Sequence, residues 1–181
     1  MKAPNCEATM GSTALNQFRG PLTAIKINEW LLACEKTFQT SELTDKQKVR
    51  NAGDCILPDG PTSDLRNWWN DTDDITTWAA FKERIMEEAL GSDWRARALQ
   101  DFYSTKQDDK SVEDYIKSLG NIKSVIKHGI GNKHIDDFTY KYYMIFNADP
   151  ALTAKIMDDS GFDIIAADDV AMKKKLRKMA S

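Results

Sequence analysis

Histidine is nearly missing from this chain: His128 and His134 are the only two in 181 residues. They flank "GIGNK", a glycine-bearing turn without the spacing of a phosphate loop, and with no cysteine beside them they make a poor zinc site. Cysteine is scarce as well. Cys6, Cys34 and Cys55 are odd in number and widely spaced, and no apolar leader precedes them. They therefore read as reduced thiols in an intracellular, cytoplasmic protein. No apolar run approaches the roughly 20 residues of a membrane span. An excess of positive charge is also absent. The 25 Lys and Arg face 28 Asp and Glu, and a net charge of −3 argues against a domain devoted to gripping phosphates.

Converging catalytic groups are missing too. Asp158–Asp159 and Asp168–Asp169 are adjacent pairs, and neighbours on a helix diverge by about 100°. Cys34 falls on an apolar stripe and Cys55 at a helix edge, neither with a histidine to activate it. The expectation is a protein that is not an enzyme and takes no metal, cofactor or small-molecule substrate.

What is present is a folded composition, 41% hydrophobic and 29% charged, long enough for one larger domain or two small ones. Its apolar residues recur at three- and four-residue spacing, with no alternation of period two, so the fold class is all-α. Residues 1–16 carry no period and read as a mobile tail. Asn28 is a candidate cap for a first helix presenting Trp30, Leu31, Cys34 and Phe38 on one face. Thr44 and Gln47 form a capping box before Val49, Ala52 and Ile56. Leu65, Trp68 and Trp69 share a face of a short helix. Thr76 or Thr77 caps the next, whose stripe is Trp78, Phe81, Ile85 and Ala89, and Gly91 stops it. A fifth helix carries Ala98, Leu99 and Phe102.

The polar stretch 104–110 reads as a linker between two lobes, 17–105 and 106–181. Beyond it, Ser111 caps a long helix with Val112, Tyr115, Ile116, Leu119, Ile122 and Ile126 in phase, ended by "HGIG". Ile135, Phe138, Tyr142 and Ile145 give the inward face of the following helix. Asp149–Pro150 is a helix start, and a last helix or helix pair runs from about 162 to 179. The first core is expected around Trp30, Phe38, Trp68, Trp69, Trp78 and Phe81, and the second around Tyr115, Leu119, Phe138 and Ile145. The tryptophans are placed inside rather than on a base-stacking platform, because Asp71, Asp73 and Asp74 surround them instead of Lys and Arg.

The order of these signals resembles the Gag capsid region of gypsy-type long-terminal-repeat retrotransposons over about residues 18–157. Trp30, Leu31, Glu35 and Phe38 match a W-L-x-x-x-E-x-x-F helix. Trp68 and Trp69 match its paired tryptophans, and Thr77, Trp78 and Phe81 its T-W-x-x-F helix. Gln107, Ser111, Val112 and Tyr115 match a Q-x-x-x-S-V-x-x-Y stretch. The resemblance implies a two-lobed helical capsid protein whose copies form virus-like particle shells around RNA. No zinc-knuckle spacing occurs, so the expectation is the capsid portion alone, from an active element or a domesticated copy. The rival is an Arc-like adaptor that holds short peptides in a hydrophobic groove of the first lobe.

The resemblance also assigns residues. Gln107, Ser111, Glu113 and Tyr115 fall where the counterpart of the retroviral major homology region lies, as a hydrogen-bonded hub for the second lobe. The tail "KKKLRK" makes Lys173, Lys174, Lys175, Arg177 and Lys178 candidate RNA contacts, against a plain reading as solvated charges complementing a helix C-terminus. Tyr140, Tyr143 and Met144, with Asp136 beside them, fall opposite the inward face of their helix and are expected to form a twofold self-contact. The alternative is that 162–179 folds over this face within one chain.

Overall fold

The computed structural model describes residues 15–131 and 134–180. Among these, every regular element is helical; the one strand-like feature is an isolated parallel bridge between Phe18 and Ile56. No helix of the described residues is long and apolar enough to cross a membrane. The expected tail lies outside the described residues up to residue 14, as does Cys6. Its last two positions are tied down: Leu15 is buried, and the Asn16 carbonyl accepts the Trp30 indole N–H at 2.8 Å. Contacts divide the chain into two compact units, Met1–Arg95 and Ala96–Ser181.

The first unit holds α1 (Ala24–Phe38), α2 (Asp45–Asp54), α3 (Ser63–Asn70), α4 (Trp78–Leu90) and the start of α5 (Trp94–Ser104). α1 begins earlier than Asn28. The Thr23 hydroxyl accepts the Lys26 N–H at 3.3 Å, which leaves Asn28 buried in the second turn. A cap acts wherever the chain first turns helical, and Thr23 supplies the acceptor there. Thr44 and Gln47 form the reciprocal box at the head of α2, Thr77 caps α4, and Gly91 closes it at φ 86°. Trp30, Leu31, Cys34 and Phe38 of α1 are buried, as are Val49, Ala52, Trp78, Phe81 and Ile85. Each large side chain so buried contributes roughly 1.5–3 kcal/mol.

Trp68 and Trp69 are only half-buried, a correction to the expected core. Leu65 is the one buried residue of α3, and Trp69 lies across Gly53 of α2. A Cβ at Gly53 would stand 2.0 Å from the indole Cε2, so glycine is required for the ring to lie there. The Trp69 N–H donates to Asp54 at 3.2 Å, and its ring meets Phe81 edge-on at 5.5 Å.

The second unit holds the rest of α5, then α6 (Val112–Gly129), α7 (Asp137–Phe146), α8 (Pro150–Met157) and α9 (Asp169–Ala180). Residues 96–105, expected with the first lobe, group here. The reason is Phe102, fully buried with its ring 4.7 Å from Tyr143 and 6.2 Å from Tyr140. Tyr115, Ile116, Leu119 and Ile126 are the buried stripe of α6, with Val112 and Ile122 at its half-exposed margins. Asp149 caps α8 through the Ala151 and Leu152 N–H groups. The stretch 158–168 is irregular, so the last helix starts at Asp169 rather than near 162. Lys141 secures that stretch by donating to the Ile165 carbonyl at 3.2 Å and the Ala167 carbonyl at 2.5 Å.

The phase of α7 is the main correction. Tyr140 and Met144, expected outward, are fully buried, while Phe138, expected inward, is 57% exposed. Its sequence "DFTYKYYMIF" is apolar around the whole circumference, so periodicity alone cannot choose the inner face. α6 and α9 choose it: Lys123 lies 3.9 Å over the Tyr140 ring and Lys173 5.5 Å from it. The last helix does fold over this face within one chain.

Candidate functional site

The residues of the first and third matched motifs interlock. The Glu35 carboxylate on α1 accepts the Trp78 indole N–H at 2.9 Å and the Lys82 ammonium at 2.6 Å on α4. Phe38 meets Trp78 edge-on at 5.1 Å, an orientation the ring quadrupoles favour. The neighbouring Cys34 thiol is pushed up to about 12, by burial first and the Glu35 charge second, so it stays protonated and a poor nucleophile at neutral pH.

Gln107, Ser111, Glu113 and Tyr115 each reach a different part of the second unit. The buried Gln107 carboxamide accepts the Asp149 N–H at 2.9 Å and donates to the Lys110 carbonyl at 3.2 Å. Its own backbone N–H donates to the Asn147 carbonyl at 2.8 Å. This residue thus ties the α5–α6 turn to the α7–α8 turn. Ser111 caps α6, accepting the Asp114 N–H at 3.1 Å. Glu113 accepts from the Arg177 guanidinium of α9 at 3.0 Å, which holds its carboxyl below the ordinary range. The Tyr115 hydroxyl donates to the Met144 carbonyl at 3.1 Å, satisfying the last turn of α7. Burial pushes the Tyr115 hydroxyl well up, with Tyr143 and Tyr140 adding to the shift, so it remains a donor.

The expected self-contact residues are not together on the surface. Tyr140 and Met144 are in the core. Tyr143 is half-exposed, but its hydroxyl donates to the Tyr103 carbonyl and its ring packs on Phe102. Asp136 is exposed and caps α7, accepting the Thr139 N–H at 2.7 Å. That bond keeps its carboxyl low.

What α7 does present is a row of Phe138, Tyr142 and Phe146, of which sequence reasoning assigned the first two to the core. Phe138 and Phe146 are each 57% exposed, with Tyr142 between them. Ring centroids are 4.4 Å apart for Phe138–Tyr142 and 5.8 Å for Tyr142–Phe146. The signal was visible in the sequence as three aromatics spaced by four, which must share one helix face.

The basic tail is largely consumed inside its own unit. Lys175 is buried and paired with Asp159, Lys173 pairs with Asp169 at 3.4 Å, and Arg177 pairs with Glu113. Lys174 and Lys178, four apart, remain on the exposed face. Burial of Lys175 corrects the expectation of five cations facing RNA.

A hollow of about 300 Å³ lies in the first unit, walled by Val49, Trp69 and Ile75 and rimmed by Lys46, Arg50, Asp54 and Asp73. Among the described residues no group of three or more His, Cys, Asp or Glu is placed to hold a metal ion. No protein-family model, curated protein or solved structure matches the chain.

Proposed function

We propose that the chain is a structural, self-assembling protein, the capsid portion of a retrotransposon Gag or a domesticated copy of one, with its own copies as principal partner. The observation that carries the reading is the Phe138–Tyr142–Phe146 row, which none of the described residues of its own unit covers enough to bury. Three aromatic side chains of about 150–250 Å² each, roughly half exposed, offer on the order of 300 Å² per copy. That is well under the roughly 800 Å² per partner of a stable complex. Such a face suits a weak contact repeated many times, as a shell requires, better than a tight pair. The order of the four matched motifs supports the same reading, with the two helical lobes and the RNA-enclosing shell it implies.

The test is sedimentation and electron microscopy of concentrated protein with and without Phe138→Ser, Tyr142→Ser and Phe146→Ser together. Particles or oligomers lost in the triple variant, at unchanged helicity, support the reading; a strict monomer at all concentrations overturns it. RNA contact is assigned to Lys174 and Lys178 and tested by their replacement with Glu. Deleting 173–181 is unsuitable, because it removes the buried Leu176.

The second reading is a peptide-binding adaptor, favoured by the hollow beside Trp69. Its size fits one or two side chains of a bound segment. Peptide binding that quenches tryptophan fluorescence, in a chain that stays monomeric, would favour it over assembly.

A further inference from the structure

The second unit contains two buried polar atoms of opposite hydrogen-bonding character with no partner among the described residues. One is the Tyr140 hydroxyl on α7, whose residue is fully buried; the other is Oδ1 of Asp169, the first residue of α9. The other oxygen of Asp169 is engaged by Lys123 and Lys173, each at 3.4 Å. Lys123 also pairs with Asp137 at 2.8 Å and covers the face of the Tyr140 ring. Across from the hydroxyl, α6 presents Gly120, where a methyl group would stand 3.8 Å away, so no side chain fills the space beside it.

A phenol hydroxyl left unbonded in a protein interior costs about 1–3 kcal/mol, and so does a carboxylate oxygen, so native folds rarely keep both. The two groups are neighbours, because Lys123 and Lys173 each reach both the Asp169 carboxylate, at 3.4 Å, and the Tyr140 ring, at 3.9 and 5.5 Å. The Asp169 charge adds to burial in pushing the Tyr140 hydroxyl up. Lysines on two sides exclude a cation as the bridging group. A neutral molecule that accepts from a phenol and donates to a carboxylate is what the pair fits, and the full burial of Tyr140 restricts it to the smallest.

We propose that Tyr140 and Asp169 form a built site for one internal water molecule, which accepts from the Tyr140 hydroxyl, donates to Asp169 Oδ1 and fastens the start of α9 onto α7. Such waters belong to the fold and are costly to remove. The site sits beneath the face opposite the Phe138–Tyr142–Phe146 row, so it is independent of self-assembly.

The experiment is thermal melting of the full chain carrying Tyr140→Phe, Asp169→Ala or both, with water–hydroxyl NOE spectroscopy on the unaltered chain. Losing one satisfied buried hydrogen bond should lower the melting transition of a unit this size by roughly 4–8 °C. The double variant should fall by less than the sum of the singles, and a slowly exchanging Tyr140 hydroxyl proton should show contact with a bound water. A Tyr140→Phe chain that melts at the same or a higher temperature overturns the proposal, because an orphaned hydroxyl is relieved by its removal. A protected hydroxyl proton with no water contact also overturns it, since that signals a direct bond to Asp169. Should Tyr140→Phe fail to fold, the NOE measurement on the unaltered chain decides alone.

Discussion

The Trp78 indole N–H donates to the Glu35 carboxylate at 2.9 Å, joining α4 to α1 across 43 residues of sequence. Both partners are named by the motifs that carry the resemblance, and the geometry gives them a physical task. Glu35→Ala removes an acceptor shared by the Trp78 indole and the Lys82 ammonium. The first unit should lose about 1.5–3 kcal/mol, the range for hydrogen bonds to a charged group. Glu35→Gln, which keeps an acceptor oxygen, should lose less. Urea unfolding followed by tryptophan fluorescence measures both.

Gly53→Ala should destabilise the first unit by about 1–3 kcal/mol, the cost of overpacking. The sign opposes helix propensity, which by itself favours alanine over glycine by about 1 kcal/mol. It reverses because the added methyl meets the Trp69 ring at 2.0 Å and must displace it. A melt that moves upward would mean the ring is free to leave.

Ser111→Ala and Tyr115→Phe separate a cap from a long-range tie. Losing the cap should cost about 1 kcal/mol. Losing the bond from the Tyr115 hydroxyl to the Met144 carbonyl should cost about 0.5–1.5 kcal/mol. Because the two share α6 but no partner, the double variant should be additive within about 0.5 kcal/mol. Thermal melting of the three chains tests this.

On α7, Met144→Ala should cost about 2–5 kcal/mol, as for a buried methionine truncated to alanine. Phe146→Ala on the outer row should change the melt by well under half of that while weakening self-association. If analytical ultracentrifugation shows Phe146→Ala associating like the unaltered chain, copies meet elsewhere.

Acid should loosen the second unit. Glu113 is held below its ordinary value of 4.5 by the Arg177 hydrogen bond, and Asp137 below 3.8 by the Lys123 hydrogen bond. A carboxyl depressed in the folded state adds stability that is fully present above its unfolded value and lost as pH falls through its folded one. The loss should therefore begin near pH 4.5 and continue below 3.8. Glu113→Gln should flatten the upper part of that slope, as read from melting temperature against pH.

Four helix starts were legible from residues a few places apart, though those of α1 and α9 were not. Thr44 with Gln47, Ser111 with Asp114, Thr77, and Asp149 before Pro150 all act where the sequence places them. Each satisfies a backbone N–H within three residues, so nothing distant can override it. The all-helical class follows from the same local logic. The affiliation of residues 96–105 was not legible, because Phe102 finds Tyr140 and Tyr143 about forty residues further along the chain. Nor were the burial of Lys175, which depends on Asp159 meeting it, and the half-exposure of Trp69, which depends on Gly53 passing beneath it. The inner face of α7 was hidden for the plainest reason. A helix apolar on every side can bury any of them, and α6 and α9 decided that Tyr140 and Met144 go in while Phe138, Tyr142 and Phe146 stay out.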